Sequence, residues 1–139
     1  MAQFLEMTLG SGKEITLGVM GGGQLGRMFT HEAQSMGYKV AVLGPEQDCP
    51  AGHVADRHFL ADYNDAVALS DIAALCAAVT TEFENVSARS LATLAQHSFI
   101  APAAASVSMA QDRIVEKRFF TEYAKESTVL PAPHKLIAS

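Results

Sequence analysis

Six residues, Gly21-Gly22-Gly23-Gln24-Leu25-Gly26, constrain this chain more than any others. They hold the spacing G-x-G-x-x-G, and what flanks them matters as much as the spacing itself. Just before them runs Ile15-Thr16-Leu17-Gly18-Val19-Met20, a short apolar stretch that reads as a buried strand. Just after them, Leu25, Met28, Phe29, Ala33 and Met36 recur at helical spacing, while Arg27, Thr30, His31 and Gln34 take the other side. Gly37 supplies a stop, and a second buried strand follows in Lys39-Val40-Ala41-Val42-Leu43, ended by Gly44-Pro45. Strand, helix and strand within about thirty residues form a βαβ unit, which implies a parallel sheet with a right-handed crossover.

The chemistry of such a turn is the same whatever binds to it. Glycines accept positive φ and let the backbone come close to a ligand. The first amides of the helix have no intrahelical partner, and the helix dipole adds partial positive charge, so the turn can hold a phosphate. A nicotinamide dinucleotide would also need an acidic residue roughly 20 positions further on, at the end of the second strand. That strand ends in Leu43-Gly44-Pro45, and the nearest acid, Glu46, follows the proline and is expected to point elsewhere. A purely structural turn is the third reading.

The rest of the chain continues the alternation. His58 to Ala61 reads as a short strand, Ala66 to Ala78 as a helix and Val79 to Phe83 as a strand. Ser87 to Gln96 reads as a helix with Leu91, Leu94 and Ala95 on one side, and Phe99 to Pro102 as a last short strand. A final helix is expected from Ser106 to about Lys125, with an interruption near Asp112-Arg113. Its Val115, Phe119 and Tyr123 repeat every fourth residue. Phe119, Phe120 and Tyr123 are expected in a core or an interdomain contact. The fold class is therefore α/β, a doubly wound parallel sheet flanked by helices. Residues 1–14 are expected to be a loose leader, 15–105 a Rossmann-like domain, and 106–139 a helix and linker ending in Pro131-Ala132-Pro133.

Composition narrows the function classes. A net charge of −5 disfavours nucleic acid and anionic membrane as partners, because both reward Lys and Arg. No apolar run reaches the ~20 residues of a membrane helix, and no secretory signal pattern opens the chain. A cytoplasmic protein is expected. Cys49 and Cys76 lack metal or redox spacing and read as buried, reduced thiols. His53 and His58 read as ordinary surface residues.

Several segments, taken in order, resemble one family. These are Gly21 to Met28, Val42 to Ala51, Ala55-Asp56, Ala61 to Asp65, Thr81-Glu82-Phe83-Glu84-Asn85-Val86, and Gln111-Asp112-Arg113 with Glu116-Lys117 and Phe119. Together they are similar to the N-terminal, pre-ATP-grasp region of N5-carboxyaminoimidazole ribonucleotide synthetases, ATP-grasp enzymes of purine biosynthesis. One departure is Gly44, where many members of that family carry Asp.

The resemblance implies a set of roles. Such an enzyme uses ATP to activate bicarbonate and carboxylates the amine of aminoimidazole ribonucleotide. The amides of Gly22, Gly23, Gln24 and Leu25 would hold the phosphate and ribose of that substrate. Glu82 would face the substrate and position it, supported by Glu84, while Arg113 and Lys117 would contact ATP. The Mg2+ ligands, the bicarbonate site and most ATP contacts are expected in regions outside this sequence, so the chain is expected to be inactive alone. A homodimer is also implied. A nicotinamide-nucleotide-binding module and the N-terminal domain of a formate-dependent glycinamide ribonucleotide transformylase stand as alternatives.

Overall fold

The strand that precedes the glycines lies at the centre of a five-stranded parallel sheet in the computed structural model, which describes residues 14–82 and 86–124. In chain order the elements are β1 (Thr16–Met20), α1 (Gln24–Ser35), β2 (Lys39–Gly44), β3 (Arg57–Leu60) and α2 (Ala66–Leu75). They are followed by β4 (Ala78–Thr81), α3 (Ala88–Leu94), β5 (Phe99–Ala101), α4 (Ala104–Gln111) and α5 (Arg113–Ala124). The spatial order is β3-β2-β1-β4-β5. The chain thus steps outward from β1 to β3, then returns to the opposite side of β1 to place β4. Leu17 pairs with Val40 on one side and with Ala78 on the other. The reversal of direction lies between β1 and β4, the place where open α/β sheets form ligand crevices at their C-terminal ends.

Alternation along the strands divides the core. Met20, Ala41, Leu43 and Val79 pack with Leu69 and Ile72 of α2, Leu91 and Leu94 of α3, and Val107 of α4. Val19, Val40 and Val42 pack with Ala33 of α1 and Ala51, flanked by Leu17 and Phe29. Strands buried on both faces need continuous apolar sequence, which is what Val40-Ala41-Val42-Leu43 provides. The expected α/β doubly wound architecture is observed.

Helix α1 departs from expectation in which side it buries. Leu25, Met28 and Met36 are 62%, 63% and 71% exposed, whereas Gly26, Thr30 and Ala33 are buried. Small residues let the helix lie close to the sheet. Thr30 can be buried because its Oγ1 donates to Gly26 O at 2.7 Å, so its polar atom is satisfied within the helix. Gln34, also assigned to the polar side, reaches across to donate to Val54 O and Asp56 Oδ2.

The interruption expected in the last helix is real. Asp112 separates α4 from α5, and its Oδ1 accepts from the amides of Ile114 and Val115. Helix α5 has no buried residue, so its aromatic cluster is not core: Phe119 and Tyr123 stack at 6.3 Å on an exposed side. The expected leader and the Pro131–Pro133 linker lie outside the described residues.

Candidate functional site

The glycine turn connects β1 to α1, and Glu82 follows the last residue of β4 directly. Neighbouring parallel strands therefore deliver both to the same edge, with the Glu82 amide bonded to Met20 O at 2.9 Å. The side chain of Glu82 turns into the glycine loop. Its Oε2 accepts from the Gly23 amide at 2.8 Å. Helix α1 has no side-chain cap of its own, with Gly23 at the N-cap position. A carboxylate from 59 residues away takes that place, where helix polarity favours negative charge.

The three glycines of the G-x-G-x-x-G spacing make room for this carboxylate and, at Gly26, for the loop backbone. Gly21 has φ +134°, and a Cβ there would stand 2.5 Å from Glu82 Cβ. A Cβ on Gly23 would overlap Glu82 Oε1, and one on Gly26 would lie 3.0 Å from Glu82 Oε2 and 2.6 Å from Gly21 O. The Gly23 amide, expected to meet a phosphate, is thus engaged by Glu82.

Around this pair lies a cleft of about 220 Å³, lined by Gly22, Gly23, Gly44, Pro45, Glu46, Tyr63 and Glu82. Ligand pockets commonly span roughly 300–1,000 Å³, so the cleft suits part of a ligand. Four consecutive strand ends contribute to it. The turn after β1 gives Gly22 and Gly23, and the end of β2 gives Gly44 to Glu46. Tyr63 follows β3, and Glu82 follows β4. Its charged lining is acidic, so it favours hydroxyl and amine donors over a phosphate.

Glu46 therefore does not point away, as its place after a proline suggests; it forms one wall. Tyr63 belongs to the Ala61 to Asp65 segment, where the sequence reading gives it no role, although its position just past the C-terminal end of a parallel strand is a usable signal. Burial pushes the Tyr63 hydroxyl pKa up, and the nearby Glu82, Glu46, Cys49 and Asp62 add to the rise. The hydroxyl keeps its proton at neutral pH and can act as a donor.

Behind the wall sits His58, half-buried rather than at the surface. Its Nε2 is 3.3 Å from Gly44 O and 3.8 Å from Cys49 Sγ. His53 is exposed and pairs with Asp48 at 2.6 Å. Both cysteines are free and buried, as expected. Burial raises the Cys76 pKa to about 12, opposed only in part by Arg57, so this thiol stays protonated and inert.

The remaining expected residues are placed as follows. Gln24 and Leu25 begin α1 with exposed side chains. Arg113 is exposed and ion-paired with Glu116, and Lys117 is half-buried; neither lines the cleft. Glu84 lies outside the described residues. Among the described residues no group of three His, Cys, Asp or Glu side chains could hold a metal ion. No helix among them is long and apolar enough to cross a membrane.

Comparison with known proteins agrees with this architecture. An N5-carboxyaminoimidazole ribonucleotide synthase of Brucella melitensis is 40% identical over 122 residues, covering 88% of this chain and 33% of the relative. The crystal structure of N5-carboxyaminoimidazole synthetase from Staphylococcus aureus with ADP superimposes with TM-score 0.74 at 40% identity, covering 79% of this chain and 31% of that one. The synthase from Aspergillus clavatus in complex with ADP and 5-aminoimidazole ribonucleotide gives TM-score 0.72 at 29% identity, with 79% and 30% covered. This chain thus spans about a third of the length of the relatives it matches. Residues 14–111 match the ribonucleotide synthetase preATP-grasp domain, and the chain belongs to that family.

Proposed function

We propose that this chain is the ribonucleotide-binding part of an ATP-dependent ligase of purine biosynthesis, one that carboxylates 5-aminoimidazole ribonucleotide with bicarbonate. The observation that carries this reading is the seat of Glu82: a carboxylate fixed by the Gly23 amide at the reversal point of the sheet, beside an acid-lined cleft. One oxygen of Glu82 is held by the loop. The other is available to accept from a ribose hydroxyl or the aminoimidazole amine, which orients the substrate and contributes to rate through positioning. Relatives that carry the synthase name, one of them complexed with 5-aminoimidazole ribonucleotide, support the choice of ligand.

In this reading the ribose and amine enter the cleft beside Gly22 and Gly23. The phosphate lies toward the other first-turn amides, Gln24 and Leu25, because a phosphate at Gly23 would meet the Glu82 charge. Glu84 supports Glu82 from the following segment. ATP is assigned to Arg113 and Lys117 together with regions beyond this sequence. A similar synthetase solved in complex with ADP supports a nucleotide ligand. When bound, ATP with Mg2+ would supply the activation of bicarbonate. The described residues provide no donor set for the metal, so none of its chemistry is assigned to them. A homodimer in the cytoplasm, with no nucleic-acid or membrane partner, completes the proposal.

One observation favours a second reading. Glu46 stands 20 positions after Gly26 and lines the cleft, as the ribose-binding acid of a dinucleotide site would. Against it, the amide such a site offers to pyrophosphate is already occupied by a carboxylate. Amide NMR separates the two. Titration with 5-aminoimidazole ribonucleotide should shift Gly22, Gly23 and Glu82 saturably, and NADH should not. Saturable shifts with NADH alone would sink the ligase reading. A glycinamide ribonucleotide transformylase would instead respond to glycinamide ribonucleotide in the same titration.

A further inference from the structure

His58 reads as a surface residue in the sequence, yet its half-buried ring stands behind two walls of the cleft. It belongs to β3, in register with Val42 of β2, and its Nε2 lies 3.3 Å from the carbonyl oxygen of Gly44, where β2 ends. That carbonyl can only accept, so the contact is a hydrogen bond when the ring carries a proton on Nε2. After Gly44 come Pro45, which has no N–H with which to brace the turn, and Glu46, which lines the cleft. The same ring nitrogen is 3.8 Å from the sulfur of Cys49, a fully buried residue. This sulfur packs directly against the glycine turn: a Cβ at Gly22 would stand 2.7 Å from it. One ring therefore backs both the end of β2 and the turn after β1. Room for it comes from Gly52, where a Cβ would lie 2.7 Å from His58 Nδ1 and 2.8 Å from Cys49 Sγ. Gly52 has no positive φ, so it is the ring and the sulfur, not the backbone, that call for glycine there.

We propose that His58 is a positioning residue: its Nε2–H holds the Gly44 carbonyl, and its ring seats Cys49 against Gly22, so that the wall carrying Glu46 and the glycine turn keep their spacing for a ligand. It touches no ligand itself and acts only through these neighbours. Losing the Nε2 donor frees the end of β2, and displacing the ring also moves the sulfur behind Gly22. The choice of ligand probe rests on the ribonucleotide reading above.

The test uses the 139-residue chain and three variants, His58→Gln, His58→Asn and Gly52→Ala. The amide nitrogen of glutamine reaches the place of Nε2, whereas that of asparagine stops at the place of Nδ1 and falls short of Gly44 O. Gly52→Ala keeps the histidine but pushes its ring aside. Without ligand, long-range proton–nitrogen NMR of the parent ring at neutral pH should show a protonated Nε2; a bare Nε2 would overturn the proposal. The amides of Gly22 and Glu46 should shift in His58→Asn and Gly52→Ala and return toward their parent positions in His58→Gln. Affinity for 5-aminoimidazole ribonucleotide, measured well below each melting temperature, should fall about three- to tenfold in His58→Asn and Gly52→Ala and stay within about twofold of the parent in His58→Gln, the scale of one neutral hydrogen bond. A histidine with a merely structural role would lower the melting temperature in its variants while affinity and those two amides stay unmoved, and that result overturns the proposal. Equal losses of affinity in the glutamine and asparagine variants overturn it too, since the donor would then not matter. A parent chain that does not bind the probe would overturn the ribonucleotide reading, and the ring proton and the ligand-free amide shifts would still decide the role of His58.

Discussion

Helices α1 and α2 both begin at a carboxylate, yet the two carboxylates do different things. At α2, Asp65 is the N-cap itself, and its Oδ1 accepts from Ala68 N three residues later at 2.8 Å. That is a local cap, made within one turn of chain. At α1 the N-cap is a glycine, and the carboxylate arrives from Glu82 on another strand. Both satisfy orphan amides and both complement the helix dipole. Only the second requires the sheet to be assembled, and only the second leaves the carboxylate lining a cleft. The α1 terminus uses a conformationally costly run of glycines to admit that side chain, which a structural cap does not need.

The comparison breaks most sharply at Gly21. Gly21→Ala meets a backbone at φ +134° and a Cβ 2.5 Å from Glu82 Cβ, two faults at one position. A loss of about 2–4 kcal/mol is expected by urea denaturation, together with loss of ribonucleotide binding. Glu82→Ala comes next. It removes the distant cap at a cost of about 1–2 kcal/mol and abolishes measurable ligand binding. Glu82→Gln keeps an oxygen for the Gly23 amide, so it should recover most of the stability but not the affinity. If Glu82→Gln binds as well as the parent chain, the charge of the carboxylate has no part in recognition. Asp65→Ala is the local counterpart, with an expected loss of about 1 kcal/mol and ligand affinity unchanged.

This difference also marks what can be read from the sequence. The βαβ unit is legible because apolar runs and glycines lie next to one another, and Ala66 onward is legible as a helix for the same local reason. The Glu82–Gly23 bond has no local signature, since its partners are 59 residues apart. Gly23 stands out through the glycine spacing and Glu82 only through resemblance, and the bond itself requires the strand order. The inward side of α1 is hidden from sequence reasoning because size and polarity conflict there. Met28 and Met36 look like core and Thr30 does not, until the Thr30 hydroxyl is seen bonded to Gly26 O. Glu46 and Tyr63 escape notice as a pair because each follows a different strand. Only the parallel sheet aligns those strand ends.

Asp56 shows that distance in sequence is not what turns a carboxylate into a site. It too acts across the chain, accepting from Val40 N at 2.9 Å and Gln34 Nε2 at 3.0 Å and pairing with Lys39 Nζ at 3.1 Å. It lies immediately before β3 and reaches the start of β2, at the opposite end of the sheet from the cleft. Burial raises its pKa, but the hydrogen bonds from Gln34 and Val40, with the bond and charge of Lys39, outweigh it and leave the carboxyl below its ordinary 3.8. A depressed acid pKa means stability that is fully present above the unfolded value and lost as pH falls through the folded one. Lys39 is shifted the other way, raised above 10.5 by its hydrogen bond to Asp56, so its share is lost only as pH climbs past that value. Asp56→Asn should therefore cost about 1 kcal/mol or less near pH 7, a small figure because the pair is solvent-screened. The gap in melting temperature between variant and parent should narrow as pH is lowered below about 3.8, and ribonucleotide affinity should not change. A gap that stays constant from about pH 7 to about pH 2.5 would assign the loss to packing rather than charge, and altered affinity would mean that the two ends of the sheet are coupled.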